Sequence, residues 1–428
     1  DKFLVVFTIS SPTLVGFFVC GMMGRLKEMI KYVIQIFFTG FFFFSGCSSS
    51  LPDIQIKDQV SPKEKLTTID LWLNDLSNRK QFNGAILVAI DGKVDLINTY
   101  GFSDLARKNT LTIQSSFRLA SVSKQFTAMA IMILKEQGKI QFDDPVQKYL
   151  NNFPYNDVTI RHLLTHTSGL PDYESLVLKF KKKYSTMYFF ITGQSRENIT
   201  YKGEPNQYKD SHAILSMKDV LDLVIQYQDK RKFMAGEKFN YSNTGYVLLA
   251  HLVEQVSGQT FESFMNQEIF EPLNMSNSSV WNLNTAPGKL MDRVEGTNKS
   301  QLNDYTWLDG IAGDGAVFLS IEDFINWDRS LANHTLVSDS TFHEAITPFI
   351  TTRGDTSYYG FGWSLSKKGA SMDHSGGWVG ALTYIYRNPD TGVLFVLLDS
   401  STNRNMREIM ETIGNLFAGD IWEDAKKN

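Results

Sequence analysis

Ser121-Val122-Ser123-Lys124 sets a hydroxyl and an amine three residues apart, at the head of an almost wholly apolar stretch running to Gln137. That stretch reads as a helix, and positions i and i+3 share a helix face, so the amine reaches the serine oxygen. The first turn of a helix carries unpaired N–H groups and the positive end of the dipole, which favour developing negative charge. A nucleophile with a candidate base beside it is the result. Ser-x-x-Lys is common by chance, and its weight comes from what surrounds it.

Working outward, Gly138 suits a left-handed helix cap. Upstream, Lys65 to Asn78 has apolar residues at helical spacing. Gly84 to Ile90, Asp91-Gly92 and Lys93 to Tyr100 form a strand–turn–strand pattern, with the turn chemistry that a two-residue hairpin needs. Downstream, Asp219 to Gln226 and Tyr246 to Val256 read as helices. Leu382 to Tyr386 and Val393 to Leu398 flank a turn-forming stretch, Asn388-Pro389-Asp390-Thr391-Gly392, and a helix follows from Asn405 to Phe417. Strands at both ends with helices between predict an α+β fold. An antiparallel sheet is assembled from both termini and flanked by helices, with a mostly helical subdomain inserted. Glu174 to His212 lacks sustained periodicity and is expected to be a loop or lid beside the site.

The 428 residues, 43% of them hydrophobic, are ample for a large core, and the net charge of -4 gives no electrostatic case for binding nucleic acid. The only cysteines, Cys20 and Cys47, precede the globular part, so no disulfide framework or thiolate zinc site can lie downstream. His162 and His166 are four apart, but Leu163 stands where a His-Glu-x-x-His motif needs glutamate. A structural role is expected for them, with no metal and no cofactor.

Residues 1–50 read as a targeting segment. Arg25, Lys27 and Lys31 precede an apolar run, Tyr32 to Phe44, too short to span a bilayer as a typical helix. Phe44-Ser45-Gly46-Cys47 then resembles a bacterial lipoprotein signal, which implies cleavage before Cys47 and lipidation of its thiol. An uncleaved anchor is the alternative; either places the body of the protein in the cell envelope, facing the periplasm or exterior. Met22, Met23 and Met29 are candidate starts, which would put the apolar stretch Phe3 to Met23 ahead of the start codon, with an extra membrane span as the alternative. Residues 51–62 read as a tether and 63–428 as one globular domain.

Two further segments complete a constellation. Tyr241-Ser242-Asn243 leads into a helix, and His374-Ser375-Gly376-Gly377 stands just before a strand. With Ser121-x-x-Lys124, these resemble the serine β-lactamase and penicillin-binding-protein superfamily, in its branch of class C β-lactamases, D,D-carboxypeptidases, D-aminopeptidases and esterases. The stretches Leu164-Thr165-His166-Thr167-Ser168-Gly169-Leu170 and Tyr359-Gly360-Phe361-Gly362-Trp363 match in style, and the resemblance covers roughly 65 to 418. It implies a β-lactamase-like fold and an acyl-enzyme hydrolase. Ser121 would be the nucleophile, and Lys124 and Tyr241 would share its proton as one coupled unit. Lysine near about 10.4 and tyrosine near about 10 are too basic unless the fold retunes them. Asn243 would orient Lys124 and the substrate amide, and the N–H groups of Ser121 and Gly377 would hold the oxyanion. Glycine at 376 and 377 suits close approach of substrate. His166 would be scaffold, and Asp314 either lines the cleft or merely turns the chain.

The chain departs from β-lactamases of this superfamily at His374, where they usually carry lysine. Histidine, with an unperturbed pKa of about 6.5, is mostly neutral at pH 7 and weakens the grip on a substrate carboxylate. The expectation is therefore a serine hydrolase of amides or esters, acting on a small molecule or a D-amino-acid peptide, with β-lactam hydrolysis slow or absent. A class C-like β-lactamase and a non-catalytic binding lipoprotein are the alternatives.

Overall fold

Asp91 and Gly92 both take positive φ, +51° and +71°, as the mirror-image hairpin turn demands. The computed structural model describes residues 51–52, 54, 61–176, 215–284, 292–298, 301–304, 306, 308–401 and 405–417. The leader with Cys47, most of the tether, and residues 177–212 of the unpatterned stretch lie outside them.

The strands, in chain order, are β1 (Gly84–Ile90), β2 (Lys93–Tyr100), β3 (Ser116–Arg118), β4 (Ser279–Val280), β5 (Thr297–Asn298), β6 (Gln301–Leu302), β7 (Val317–Ser320), β8 (Phe349–Ile350), β9 (Thr356–Ser357), β10 (Ser364–Leu365), β11 (Met372–Trp378), β12 (Ala381–Asn388) and β13 (Val393–Asp399). The six-stranded sheet has the order β10-β11-β12-β13-β1-β2 and is antiparallel throughout. β1 lies against β13 from Gly84↔Asp399 to Ile90↔Val393, so the two ends of the domain meet at the centre of the sheet. Between β2 and β10 comes the helical insert, carrying a small sheet β3-β7-β4. The α+β expectation holds.

Both faces of this sheet are buried. Ala85, Leu87 and Ala89 of β1 join the large core under the helical insert, while Ile86 and Val88 join a second core. That second core is closed by α1 (Pro62–Asn78) and the C-terminal helix (Met406–Phe417). Burial of alternate residues on opposite faces explains why Gly84-Ala85-Ile86-Leu87-Val88-Ala89-Ile90 is apolar at nearly every position. α1 starts three residues before the predicted Lys65, because Ser61 and Glu64 cap each other's backbone N–H groups and Pro62 occupies the first turn.

The remaining helices that place the site are α2 (Lys124–Glu136), α3 (Ile160–Leu164), α4 (Met217–Gln226) and α5 (Asn243–Ser257). α2 is buried from Lys124 to Leu134, as a helix apolar all round must be. Gly138 follows it with φ +71°. Ser121 lies outside the α-helix proper. It sits in a 3-10 turn, Ala120–Ser123, that feeds α2.

Candidate active site

Ala120, immediately before Ser121, holds φ at +49°, a left-handed conformation that costs a non-glycine residue energy and persists only where packing enforces it. The enforcement is visible: Thr383 of β12 donates to the Leu119 carbonyl at 2.7 Å, and Val122 N–H donates to the same oxygen at 3.2 Å. Lys124 Nζ lies 3.0 Å from Ser121 Oγ and 2.8 Å from the backbone oxygen of Asp314. The lysine is fully buried. A buried amine needs such partners, since an unpaired one would cost several kcal/mol, on the order of a whole core side chain.

The Asp314 carbonyl is itself fixed from two helices. Thr127 of α2 donates to the Gly313 carbonyl at 2.6 Å. Gly313 has φ +101°, and a Cβ there would lie 2.3 Å from the Tyr246 oxygen and 2.6 Å from Ala250 Cβ, both on α5. Asp314 therefore serves Lys124 through its backbone; its carboxyl accepts from Tyr173 Oη at 3.1 Å and is pushed up to about 6 by burial.

On one side of this pair lies an aromatic cluster. The Tyr241 ring centroid is 5.1 Å from Lys124 Nζ and 4.2 Å from the His166 ring. Tyr241 is 37% exposed, so its phenol can reach a substrate. His166 is buried with φ +55° and packs on Tyr246 and Tyr359 as well. Burial, with the Lys124 cation, keeps it neutral well below the usual histidine range, and its Nδ1 accepts from the Ser242 N–H at 3.2 Å. It orders the Tyr241 loop, the scaffold role expected of it. His162 faces elsewhere, its Nδ1 bonded to Thr159 at the start of α3, so the two histidines share no ligand. Among the described residues no cluster of three or more His, Cys, Asp or Glu could hold a metal ion.

His374 overturns the expectation that it binds substrate. Strand alternation turns it inward, where Nδ1 lies 2.7 Å from the Ser375 carbonyl and Nε2 2.8 Å from Tyr359 Oη. A carbonyl only accepts, so Nδ1 carries the proton and Nε2 accepts from the tyrosine. Burial, then the Lys124 cation, pulls its pKa down to about 3. Both nitrogens are occupied inside the protein. His374 positions the aromatic cluster.

The two glycines also separate. A Cβ at Gly376 would lie 2.2 Å from Thr383 Oγ1, 2.4 Å from the Leu119 oxygen and 3.1 Å from Ser121 N. The close approach is by the serine's own turn, correcting the expectation that substrate demands this glycine. A Cβ at Gly377 would meet only Leu382, at 3.7 Å, and Gly377 lines the cleft.

That cleft, about 260 Å³, opens on the other side of Ser121 and is lined by Tyr173, Glu174, Asn243, Arg118 and Trp378 among others. Asn243 does not bond Lys124, which corrects the expectation that it orients that amine. Its backbone N–H donates to Asp172 Oδ2 at 2.7 Å, and its Nδ2 donates to Glu174 Oε1 at 3.0 Å, which draws the amide toward the acids. Its Oδ1 is buried with no partner. Burial, then Asp172 and Asp314, push Glu174 up to about 7. On the facing wall Arg118 is spent on Asp309 at 2.7 Å and on the Asp304 carbonyl at 2.8 Å, while Trp378 Nε1 also donates to Asp309.

Sequence reasoning did not find Glu174, Tyr173, Tyr359 or the Arg118–Asp309 pair. Glu174 had a signal only as the first residue of the unpatterned stretch, and Tyr359 only as the first residue of a family-like stretch; Tyr173 and the Arg118–Asp309 pair had none.

The family model described as Beta-lactamase matches residues 69–418. Penicillin-binding protein 4* of Bacillus subtilis (strain 168) is 34% identical over 331 residues, covering 74% of this chain and 67% of that protein. A D-aminopeptidase of Brucella canis is 24% identical over 313 residues, 72% of this chain and 54% of its own length, so this chain spans about half of that enzyme. Among solved structures, a penicillin binding protein from Bacillus halodurans superimposes with a TM-score of 0.64 at 28% identity, over 82% of this chain and 99% of that one. D-amino acid amidase from Ochrobactrum anthropi SV3 shares the fold, with a TM-score of 0.61 at 20% identity over 82% and 98%.

Proposed function

Because this chain belongs to the beta-lactamase family, whose fold it shares, we propose that it is an acyl-enzyme hydrolase of amide or ester bonds in small substrates or D-amino-acid peptides. The observation that carries this is the buried Lys124 amine, 3.0 Å from Ser121 Oγ with the Tyr241 ring beside it. Ser121 Oγ attacks the carbonyl while its proton passes to the Lys124–Tyr241 unit. The same unit returns that proton to the leaving amine or alcohol, and water then cleaves the acyl–serine ester. Lys124 and Tyr241 act as a coupled pair, and no microscopic assignment of the proton is needed.

The intact set Ser121, Lys124 and Tyr241 supports catalysis over a purely binding role. Two features support weak β-lactam turnover: His374 is neutral and internally bonded, and Arg118 is already paired. The test is labelling of the full chain by a fluorophosphonate probe, followed by turnover of p-nitrophenyl esters, D-amino amides, D-Ala-D-Ala peptides and nitrocefin. Labelling and turnover that vanish in Ser121→Ala support the proposal; an unlabelled Ser121 sinks it, and nitrocefin as the fastest substrate replaces it with a β-lactamase. Anchoring in the cell envelope through Cys47 belongs to the same proposal, and palmitate incorporation lost in Cys47→Ala is its measurement.

A further inference from the structure

One carboxylate ties together the two chain segments that carry the expected oxyanion donors. Arg118, at the end of β3, stands three residues before Ser121, and Trp378, the last residue of β11, directly follows Gly377. Asp309 Oδ1 accepts from both side chains at once, from Arg118 Nη1 at 2.7 Å and from Trp378 Nε1 at 3.0 Å. Its Oδ2 accepts the Thr306 N–H, so the carboxylate cannot swing away without losing a bond at its other end. Asp309 and Arg118 are buried, and both line the same cleft as Ser121, Gly377 and Trp378. A charge-assisted pair held out of water is a strong link and is little screened by salt.

A second line runs beside the first. Arg118 Nη2 donates to the Asp304 carbonyl at 2.8 Å, and Asp304 Oδ1 accepts the Gly296 N–H at 3.0 Å. Gly296 packs on Gly380, in the turn after Trp378, so closely that a Cβ at Gly380 would lie 2.2 Å from the Gly296 Cα. The serine side and the strand side are thus joined twice through groups outside the Ser121, Lys124 and Tyr241 set.

These links do what the other contacts between the segments do not. The close approach of Gly376 to Leu119 and Ser121 sets how near β11 can come to the serine turn, but contact of that kind does not stop the two from parting. The Thr383 bond to the Leu119 carbonyl holds β12, one strand further on. Oxyanion donors work at about 2.7–3.1 Å from the developing charge, so the separation of the Ser121 and Gly377 N–H groups needs an outer limit as well as an inner one. Resting on the hydrolase reading above, we infer that Asp309 is a positioning residue that supplies this outer limit. Through Arg118 and Trp378 it keeps the serine turn and the end of β11 at the separation where both N–H groups reach one oxyanion. Its own oxygens are taken by protein donors, so it acts through those two partners. Its effect falls on the transition state, where charge appears, and little on ground-state binding.

The test reads the oxyanion site directly. The full chain is labelled at Ser121 by a fluorophosphonate and by its thiono twin, in which sulfur replaces the phosphoryl oxygen. With either probe the serine oxygen bonds phosphorus, fluoride leaves, and the serine proton passes to the Lys124–Tyr241 unit. Sulfur is larger and a poorer acceptor, so well-set donors favour the oxygen probe, and contacts of the rest of the probe cancel in the ratio of rates. Trp378→Phe keeps an aromatic wall and the buried ion pair but removes the Nε1–H. It should lower the oxygen-over-sulfur preference roughly tenfold, a part of the roughly 10²–10³ that loss of a whole donor costs. The loss should lie in the limiting labelling rate and not in the half-saturating probe concentration. Asp309→Ala should lower the preference at least as far, and adding Trp378→Phe to it should change nothing more, since the indole acts through the carboxylate. Asp309→Ala also strands the Arg118 guanidinium and lowers the melting temperature; if it does not fold, Trp378→Phe decides alone. No oxygen-over-sulfur preference in the unaltered chain, a preference unmoved in Trp378→Phe, a loss confined to probe binding, or additive losses in the double variant overturns the inference. Absence of Ser121 labelling in the unaltered chain instead overturns the hydrolase reading, which keeps the two failures apart.

Discussion

On one side of Ser121 the rings of His166, Tyr241, Tyr359 and His374 stack with centroids 4.2 to 6.3 Å apart, and the polar atoms of Tyr359 and His374 satisfy each other. On the other side, among the described residues, Asn243 keeps an unmet oxygen and Glu174 a carboxyl without a cation. The first side is packed like a core and holds catalytic groups in place; His166 Nε2 is also buried there without a hydrogen bond, but it is closed in by the rings around it. The second is left incomplete, and an incomplete buried wall is where binding energy for a ligand is available. Burial acts on both sides but with opposite charge consequences. It strips the proton from His374 and keeps one on Glu174 for longer.

The comparison breaks most severely at the lysine. Lys124→Ala should slow fluorophosphonate labelling of Ser121 by about 10³-fold or more, since it removes the group bonded to the nucleophile. Next comes Tyr241→Phe. Its ring stays on His166 while the hydroxyl is lost, so turnover of an amide should fall by about 10²-fold with the melting temperature nearly unchanged. A third test sets the two glycines against each other. Gly376→Ala overpacks the serine turn and should cost about 1–3 kcal/mol, seen as a drop in melting temperature, whereas Gly377→Ala should leave that temperature within error.

The smallest effect is a pair of pH trends of opposite sign. His374 has a depressed pKa in the fold, so the stability it contributes is complete above about 6.5 and is lost as pH falls toward about 3. The excess stability of the parent over His374→Asn should shrink across that range. Glu174 has a raised pKa, so the folded state gains protons over the unfolded one from about 7 down to about 4.5. Relative to Glu174→Gln the parent should therefore gain stability on acidification through that window. Thermal melts of the three chains from pH 4 to 7 decide it, and parallel curves would mean that the two walls do not differ electrostatically.

What the sequence made legible was local or periodic. Asp91-Gly92 specified its own hairpin, the apolar runs of β1 and β13 marked strands, and the three-residue spacing put Lys124 on Ser121. The rest depends on partners far along the chain. Lys124 is anchored by a carbonyl 190 residues away, and no side-chain pattern marks a carbonyl. α5 begins at Asn243, three residues before the predicted Tyr246, because Asp172 caps its first N–H and Thr244 Oγ1 bonds the Pro171 carbonyl. His374 in sequence looked like a substrate donor; only the pleat of β11 and the presence of Tyr359 turn it inward. Glu174 begins a stretch without periodicity, so nothing in its neighbours announced that it would reach Asn243.

Gly376 and Gly377, adjacent on β11, offer opposite scope for change. The first is locked by the nucleophile's own backbone, so any variant there disturbs the chemistry itself. The second has open space where a side chain would project, and it borders the cleft. A mutational library confined to position 377 would therefore test how this wall sets which acyl groups are accepted, with the backbone N–H of residue 377, an expected oxyanion donor, kept in every variant except proline.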